Sequence, residues 1–283
     1  MHMANPSGFA LLHKKASLVG AFFVGAVWQA TALALCPSPV ASTSYAVERV
    51  IDGDTLRLAT GRSVRLIGIN APELGRGGRA GEPYADAARR RLQALIQANG
   101  GRVGLVRGAQ GRDRHGRILA YAYGRNGDNL PAQLLREGLG FHTVIAPNAR
   151  FAQCLAQAEQ AARRARLGLW QGSPVARARA VQRSGFAVVS GRVSQVRRSN
   201  GALSFQLEDA LRIRLPARLL RTAPRGFVDN LSGRTLEVRG WIKRAGRSAS
   251  GPVRWQLEIT DWRMLSSLPE KKCVDINRKD CTH

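Results

Sequence analysis

"VRLIGINAPE", residues 64–73, is an apolar run that carries one arginine and ends in Asn70, Ala71, Pro72 and a lone glutamate. Just upstream, "VERVIDGDTLRL" (47–58) sets the turn signal Asp52-Gly53-Asp54 between two alternating segments, and "LATGRSVRLIGI" (58–69) repeats the arrangement around Gly61-Arg62. Together they predict a meander of three antiparallel strands whose last member is the quoted stretch.

The pattern then changes period. In "GRGGRAGEPYADAARRRLQALIQANGG" (75–101) a glycine-rich loop leads to Pro83; Ala88, Leu92, Leu95 and Ile96 fall on one face, and Asn99-Gly100 close the segment, which reads as one amphipathic helix. "RVGLV" and "ILAYAY" are two further strands flanking the polar "RGAQGRDRHGR". Leu130–Glu137 and Phe151–Leu167 read as helices stopped by Gly138 and Gly168. Five strands and three helices predict one domain ending near Trp170.

Beyond a Gly/Ser/Pro/Arg stretch (172–184) read as a linker, five strand candidates follow: "FAVVSGRVSQV", "ALSFQLED", "LRIRLP", "RTLEVRGWI" and "VRWQLEITDWRML". A short segment, Ala217–Leu220, sits between the third and fourth, which is the layout of an OB-type barrel; another small antiparallel barrel or sandwich is the alternative. The expected fold class is therefore mainly β with α, five strands plus three helices followed by a second small five-stranded β-barrel. The expected division is a leader (1–34), a short amino-terminal segment (35–46), a first domain (47–171), the linker, a second domain (185–266) and a polar tail (267–283).

Bulk properties bound the partners. At 44% hydrophobic residues the chain is not wholly disordered, and 44 Lys+Arg against 19 Asp+Glu give a formal charge of +25, mostly arginine. Planar guanidinium forks suit phosphate, so a polyanion is the first partner to consider. The amino end, with His13, Lys14 and Lys15 before the uncharged run Ala16–Leu35 and an Ala32-Leu33-Ala34 site, reads as a signal peptide cut after Ala34. An uncleaved membrane anchor is the alternative. Export implies an oxidising compartment, periplasmic or extracellular, in which the four cysteines fit disulfides; Cys36 with Cys154 and Cys273 with Cys281 is one of three pairings. No Cys/His zinc spacing occurs.

Asp54, Arg65, Asn70, Glu73 and Arg117 are polar residues that a barrel would not otherwise require, and as a set they suit phosphodiester hydrolysis. Asp54, the Asn70 side-chain oxygen and the Ala71 carbonyl offer the oxygen ligands that a hard cation such as calcium takes. Arg65 and Arg117 would neutralise charge growing on phosphorus, and Glu73 would orient or deprotonate the attacking water. Singly, each residue also has an ordinary turn or surface role.

The order "VIDGDT", "VRLIGINAPE", "DRHGRILAYAY", "LLREGLG", "ARRARLGLW" resembles the thermonuclease family, typified by staphylococcal nuclease, from Val47 to Gln171. The resemblance implies an OB-type barrel with three helices and secreted, calcium-dependent cleavage of DNA and RNA to 3′-phosphate and 5′-hydroxyl ends. By motif position it implies Asp54 as the calcium carboxylate, Arg65 and Arg117 as phosphate-binding arginines, Glu73 as the general base and Ala71 as a carbonyl ligand. Three departures stand out. Asn70 occupies a position where the family has Asp, Arg114-His115 replace a Lys-Tyr pair, and Val144 and Ala146 stand where the type enzyme uses tyrosines against the nucleotide.

The second domain offers more cations: Arg197 and Arg198 in "VRRSNG", and Lys243, Arg244 and Arg247 in "KRAGRSASGPVR", on the two loops with which OB barrels grip oligonucleotides. Trp241, Phe205 and Trp255 lie on adjacent strands where they could stack bases, a place in the core being the alternative. The expected activity is that of an exported calcium-dependent endonuclease with DNA and/or RNA as partner. The alternative is a catalytically weak or inactive binding module of the same fold. Neither a protein partner nor stable membrane association after leader removal is expected.

Overall fold

The computed structural model describes residues 35–37, 41–75, 77–246 and 253–268. The leader, Arg247, Cys273 and Cys281 lie outside the described residues.

The first barrel is built from β1 (Thr43–Val50), β2 (Thr55–Leu58), β3 (Ser63–Leu66), β5 (Arg102–Arg112) and β6 (Ile118–Tyr123), closed in the order β1-β2-β3-β6-β5. Only β3 and β6 run parallel; the other pairs are antiparallel. A two-residue strand, β4 (Ile69–Asn70), pairs with β7 (Phe141–His142) beside the ring. The side-chain period of two decides what each strand presents. Val64 and Leu66 are buried in the barrel, so Arg65 between them points outward. Ile118, Ala120 and Ala122 of β6 join the same core, while Tyr121 and Tyr123 pack with Ile67, Val106 and Phe151 on the outer side. Both faces are covered, which is why "ILAYAY" reads as a continuous apolar run.

Three helices cover this barrel: α1 (Ala85–Ala98), α2 (Leu130–Arg136) and α3 (Ala152–Arg164). Helix α1 buries Ala85, Ala88, Leu92, Leu95 and Ile96 and ends where the Gly100 and Gly101 amides reach back to the Gln97 and Ile96 carbonyls. Cys36 is disulfide-bonded to Cys154 of α3, the cysteine pair anticipated between the amino-terminal segment and the last helix.

The second barrel comprises β9 (Gly185–Ser199), β10 (Ala202–Leu207), β11 (Leu211–Leu215), β12 (Thr235–Arg244) and β13 (Trp255–Glu258), with the short α4 (Ala217–Leu220) before β12. Its strands pair in the order β9-β10-β11-β13-β12, and β12 returns to β9. In both rings the third strand pairs parallel with the fifth, and a helix separates the third from the fourth. The two halves thus share one strand order, that of the OB barrel.

Three expectations are corrected. The polar "RGAQGR" is not a connector: β5 continues through it to Arg112, because the Asn148 side chain accepts from Gln110 N–H at 2.9 Å and donates to the Gln110 carbonyl at 3.1 Å, standing in for a missing strand partner. The stretch 172–184 is not a free linker: β8 (Val175–Arg177) adds parallel to β9, and Arg177 is fixed to the buried carboxylate of Glu208 at 2.6 Å. Arg197, Arg198, Lys243 and Arg244 lie on the ends of β9 and β12, which run further than their apolar patterns suggested, and not on loops. A final strand, β14 (Leu265–Ser267), pairs with β12.

The outward face of β12 docks onto the first half. Leu236, Val238 and Ile242 point into the second barrel's core, so Glu237, Arg239, Trp241 and Lys243 share the other face. Glu237 takes a bidentate pair from Arg163 of α3, at 2.9 and 2.7 Å, and a third bond from Arg239 at 3.0 Å. Arg239 also pairs with Glu159 of α3, whose carboxylate accepts the His142 N–H at 2.8 Å. Burial alone would raise the Glu237 carboxyl, but the Arg163 hydrogen bond and the charges of Arg239 and Arg163 hold it below its usual value.

Candidate functional site

The turn before β2 positions the first group. A side chain at Gly53 would meet the Ala71 and Ala88 methyls, each 2.6 Å from its Cβ, so glycine is what lets the turn lie against both. The close approach sets Asp54 under Ala71: Asp54 Oδ2 accepts the Ala71 N–H at 2.7 Å and Oδ1 accepts the Thr55 hydroxyl at 3.0 Å. Arg65 reaches the same carboxylate, Nη2 to Oδ2 at 2.9 Å, and donates to Asn70 Oδ1 at 3.2 Å and to the Leu66 and Ile69 carbonyls at 2.7 and 2.8 Å. Asp54, Arg65, Asn70 and Ala71, spread over 18 positions of sequence, therefore form one bonded cluster.

Burial pushes the Asp54 carboxyl up to about 7, and nearby Asp52 adds to this, against the attraction of Arg65. A single guanidinium thus under-compensates this buried carboxylate, and a further cation would relieve it. The oxygens at hand are the Asp54 carboxylate, Asn70 Oδ1 and the Ala71 carbonyl, a set that fits a hard divalent ion. Among the described residues no group of three or more His, Cys, Asp and Glu comes together, so an ion here would rest on mixed oxygen donors.

Arg117 arrives from the β5–β6 hairpin. Asp113 organises that tip: its carboxylate accepts the Arg117 Nε–H at 2.7 Å and the backbone N–H groups of Arg117 and His115 at 3.0 and 2.9 Å. Partial burial would raise Asp113, yet these bonds and the Arg117 charge bring it below its ordinary value. Arg114 donates to His115 Nε2 at 3.1 Å, so the two are presented together.

Arg65, Arg114, His115 and Arg117 line one cleft of about 650 Å³, and Lys243 and Trp241 of β12, with Ile145, Ser184 and Gly185, line it too. Asp54, Asn70 and Ala71 lie behind Arg65 and do not line the cleft. Glu73, read from the sequence as the general base, lies on the segment after β4. It is exposed and outside the lining, with its backbone N–H held by Glu82 Oε2 at 3.0 Å and its carbonyl by Glu82 N–H at 2.9 Å.

Arg197, Arg198 and Arg244 are exposed and outside this cleft; Arg244 lies over the Trp255 ring at 5.8 Å. Phe205 is buried in the second core and Trp255 packs against that core, so neither is a free platform. Val144, which the sequence reading set where the family's type enzyme has a tyrosine, is also part of the second barrel's core. Ile145 is a cleft residue that the sequence reading did not name, and Trp241, read there as a stacking candidate of the second barrel, comes to line the same cleft as Arg65 and Arg117. The signal for Trp241 was its register, an aromatic on the outward face of β12 between Arg239 and Lys243.

The sequence profile described as "Staphylococcal nuclease homologue" matches residues 63–172. The thermonuclease of Staphylococcus intermedius is 32% identical over 136 residues, 47% of this chain and 79% of that protein. The chain belongs to the staphylococcal nuclease family. The thermonuclease of Staphylococcus hyicus is 30% identical over 130 residues, 45% of this chain and 75% of its own length. Endonuclease YncB of Bacillus subtilis (strain 168) is 30% identical over 131 residues, and there the chain spans only 61% of the relative. The staphylococcal nuclease profile takes in Arg65, Asn70, Ala71, Glu73, Arg114, His115 and Arg117, whereas Asp54 lies before it and the second barrel after it.

Proposed function

We propose that the protein is an exported, calcium-dependent endonuclease that hydrolyses phosphodiester bonds of DNA and/or RNA to 3′-phosphate and 5′-hydroxyl ends. The observation that carries this is the convergence of Arg65 and Arg117 on one cleft, with the Asp54, Asn70 and Ala71 oxygens bonded behind Arg65. Family relatives named thermonuclease and endonuclease support it.

Arg117 binds two phosphate oxygens with its guanidinium, which Asp113 holds in place through Nε. Arg65, fixed by four acceptors, presents its remaining charge to the phosphorus as negative charge grows there. Calcium held by the Asp54, Asn70 and Ala71 oxygens would supply further neutralisation of that charge. Glu73 takes a proton from the water that attacks phosphorus, the bond to the 5′ oxygen breaks, and that oxygen leaves protonated from solvent. Glu73 sits on the exposed segment after β4, so this role requires its side chain to reach the substrate once bound.

Export is supported by the leader pattern and by the Cys36–Cys154 disulfide, which suits an oxidising compartment. Among the described residues no helix is long and apolar enough to cross a membrane.

The test is cleavage of single- and double-stranded DNA and of RNA with calcium, with other divalents and with chelator, alongside Glu73→Ala. Cleavage lost in chelator and strongly reduced in Glu73→Ala is the expected result. Activity that survives both contradicts the assigned site, and no cleavage with any metal leaves a binding module of the same fold.

A further inference from the structure

Apolar side chains exposed singly are ordinary, whereas those gathered in one place mark interaction sites; among the described residues the exposed large ones are Ile145, Leu167 and Trp241, at 49%, 42% and 38%. Two of them, Ile145 and Trp241, line the same cleft as Arg114, Arg117 and Lys243. An apolar face surrounded by cations is what a nucleotide requires, a flat ring to stack its base and positive charge for its phosphate.

Trp241 is held firmly for such a task. Its ring meets Phe186 edge-on at 5.1 Å, directly across the β9–β12 pairing; Phe186 meets Phe141 at 5.7 Å, and Phe141 meets Trp170 at 5.7 Å. This row of rings runs from the second barrel into the first, so the indole is braced against both halves. Lys243, two residues on, shares the outward register of β12, and its ammonium makes neither a hydrogen bond nor an ion pair among the described residues.

We propose that Trp241 and Lys243 form a nucleotide subsite through which the second barrel completes the cleft. The indole stacks an unpaired base next to the phosphodiester held by Arg117, and Lys243 takes a flanking phosphate. The occupant is a single-stranded segment, because a base within a duplex is already stacked and paired. The cleft volume, about 650 Å³, falls inside the range of roughly 300–1,000 Å³ usual for sites that enclose one small ligand. The inference rests on the reading of the substrate as nucleic acid and is independent of hydrolysis.

The test uses the full chain in chelator, so that binding is read without turnover, with a fluorescein-labelled oligothymidylate and a labelled duplex of equal length followed by anisotropy. Trp241→Ala is expected to weaken oligothymidylate binding roughly ten-fold or more and duplex binding little, while Trp241→Phe stays within about three-fold of the native chain. Lys243→Gln is expected to lower the salt slope of single-strand binding by about one, with Arg225→Gln, an exposed arginine outside the cleft lining, as the bulk-charge comparison. Unfolding midpoints of each variant identify any loss that comes from the fold. Native-like binding by a folded Trp241→Ala variant overturns the subsite, as does an equal loss for both substrates. If the native chain binds oligothymidylate as described but cleaves nothing with any divalent ion, hydrolysis falls and the subsite stands. If it cleaves and Trp241→Ala binds normally, the subsite falls and hydrolysis stands.

Discussion

Arg65 Nη2 lies 2.9 Å from Asp54 Oδ2, and only 14% of the Arg65 side chain and 8% of the Asp54 side chain are exposed. Arg117 pairs with Asp113 at 2.7 Å, but its side chain is 33% exposed. The two arginines therefore differ in what they do for the fold. Arg65→Ala leaves the buried Asp54 carboxylate without its counter-ion and two carbonyls without the guanidinium that donates to them, at a cost of about 3–5 kcal/mol. Arg117→Ala removes a half-open pair, at a cost of about 1 kcal/mol or less. Both changes should lower cleavage by about 100-fold or more, as loss of a charge-stabilising donor does. Urea midpoints and cleavage rates of the two variants check this, and equal stability losses would show that Arg65 has no greater structural share than Arg117.

Asn70→Asp should tighten calcium binding. Asn70 Oδ1 already stands within the oxygen set, 3.2 Å from Arg65 Nη2, and Asn70 is buried with its side-chain amide 3.5 Å from the Ala71 carbonyl. A carboxylate there adds charge to a hard-ion site with little change of shape, and a gain of roughly ten-fold or more in affinity is expected. Calorimetric titration with calcium reads it. An unchanged affinity would make Asn70 a positioning residue for Arg65 and not a ligand.

Much of this architecture is legible in the sequence because strand period and turn chemistry are local. Asp52-Gly53-Asp54 and Gly61-Arg62 mark turns, and the alternation of Val64 and Leu66 around Arg65 puts the arginine on the face opposite the core. What escapes is decided by contacts distant in sequence. Strand β5 runs on to Arg112, which pairs with Ile118, while Asn148, 38 residues after Gln110, bonds the backbone of the segment between. Val175–Arg177 becomes a strand because β9 offers an edge and Glu208 a counter-ion. The exposed placement of Glu73 depends on Glu82, nine residues on, which bonds its backbone. The shared cleft needs both barrels docked through Glu237 and Arg239, ion pairs that no local pattern announces.

Glu237 should be the residue on which that docking depends most. Its 2%-exposed carboxylate satisfies Arg163 and Arg239 together. In Glu237→Ala both guanidiniums lose a partner, and Arg239, nearly buried itself, keeps only Glu159 and the His142 carbonyl. A loss of about 3–5 kcal/mol is expected, read as a lower denaturation midpoint. Cleavage should also fall, since Trp241 and Lys243 follow Glu237 on the same face of β12. A variant as stable and active as the native chain would place the docking energy in the apolar contacts of Val144 and Phe186 instead.

His142 should make the protein sensitive to acid. It is 2% exposed, and its Nε2 has no hydrogen-bond partner among the described residues. Burial, followed by the positive charges of Arg239 and Arg263 and opposed by Asp261, holds its pKa down to about 3 against an ordinary 6.5. The sign follows from linkage. Above pH 6.5 the ring is neutral in folded and unfolded chains, and its contribution to stability is complete. As pH falls from 6.5 towards 3, the unfolded chain gains a proton that the folded ring does not accept, so stability is lost across that window. Asp54 acts in the opposite sense between 3.8 and about 7, because burial favours its protonated form in the fold. Comparing His142→Leu with the native chain cancels that background. The urea midpoint of the native chain should drop more between pH 7 and pH 4.5 than that of His142→Leu, as expected when a buried ionisable group is replaced by an apolar one. Midpoints that fall in parallel would show that His142 finds a way to take its proton inside the fold.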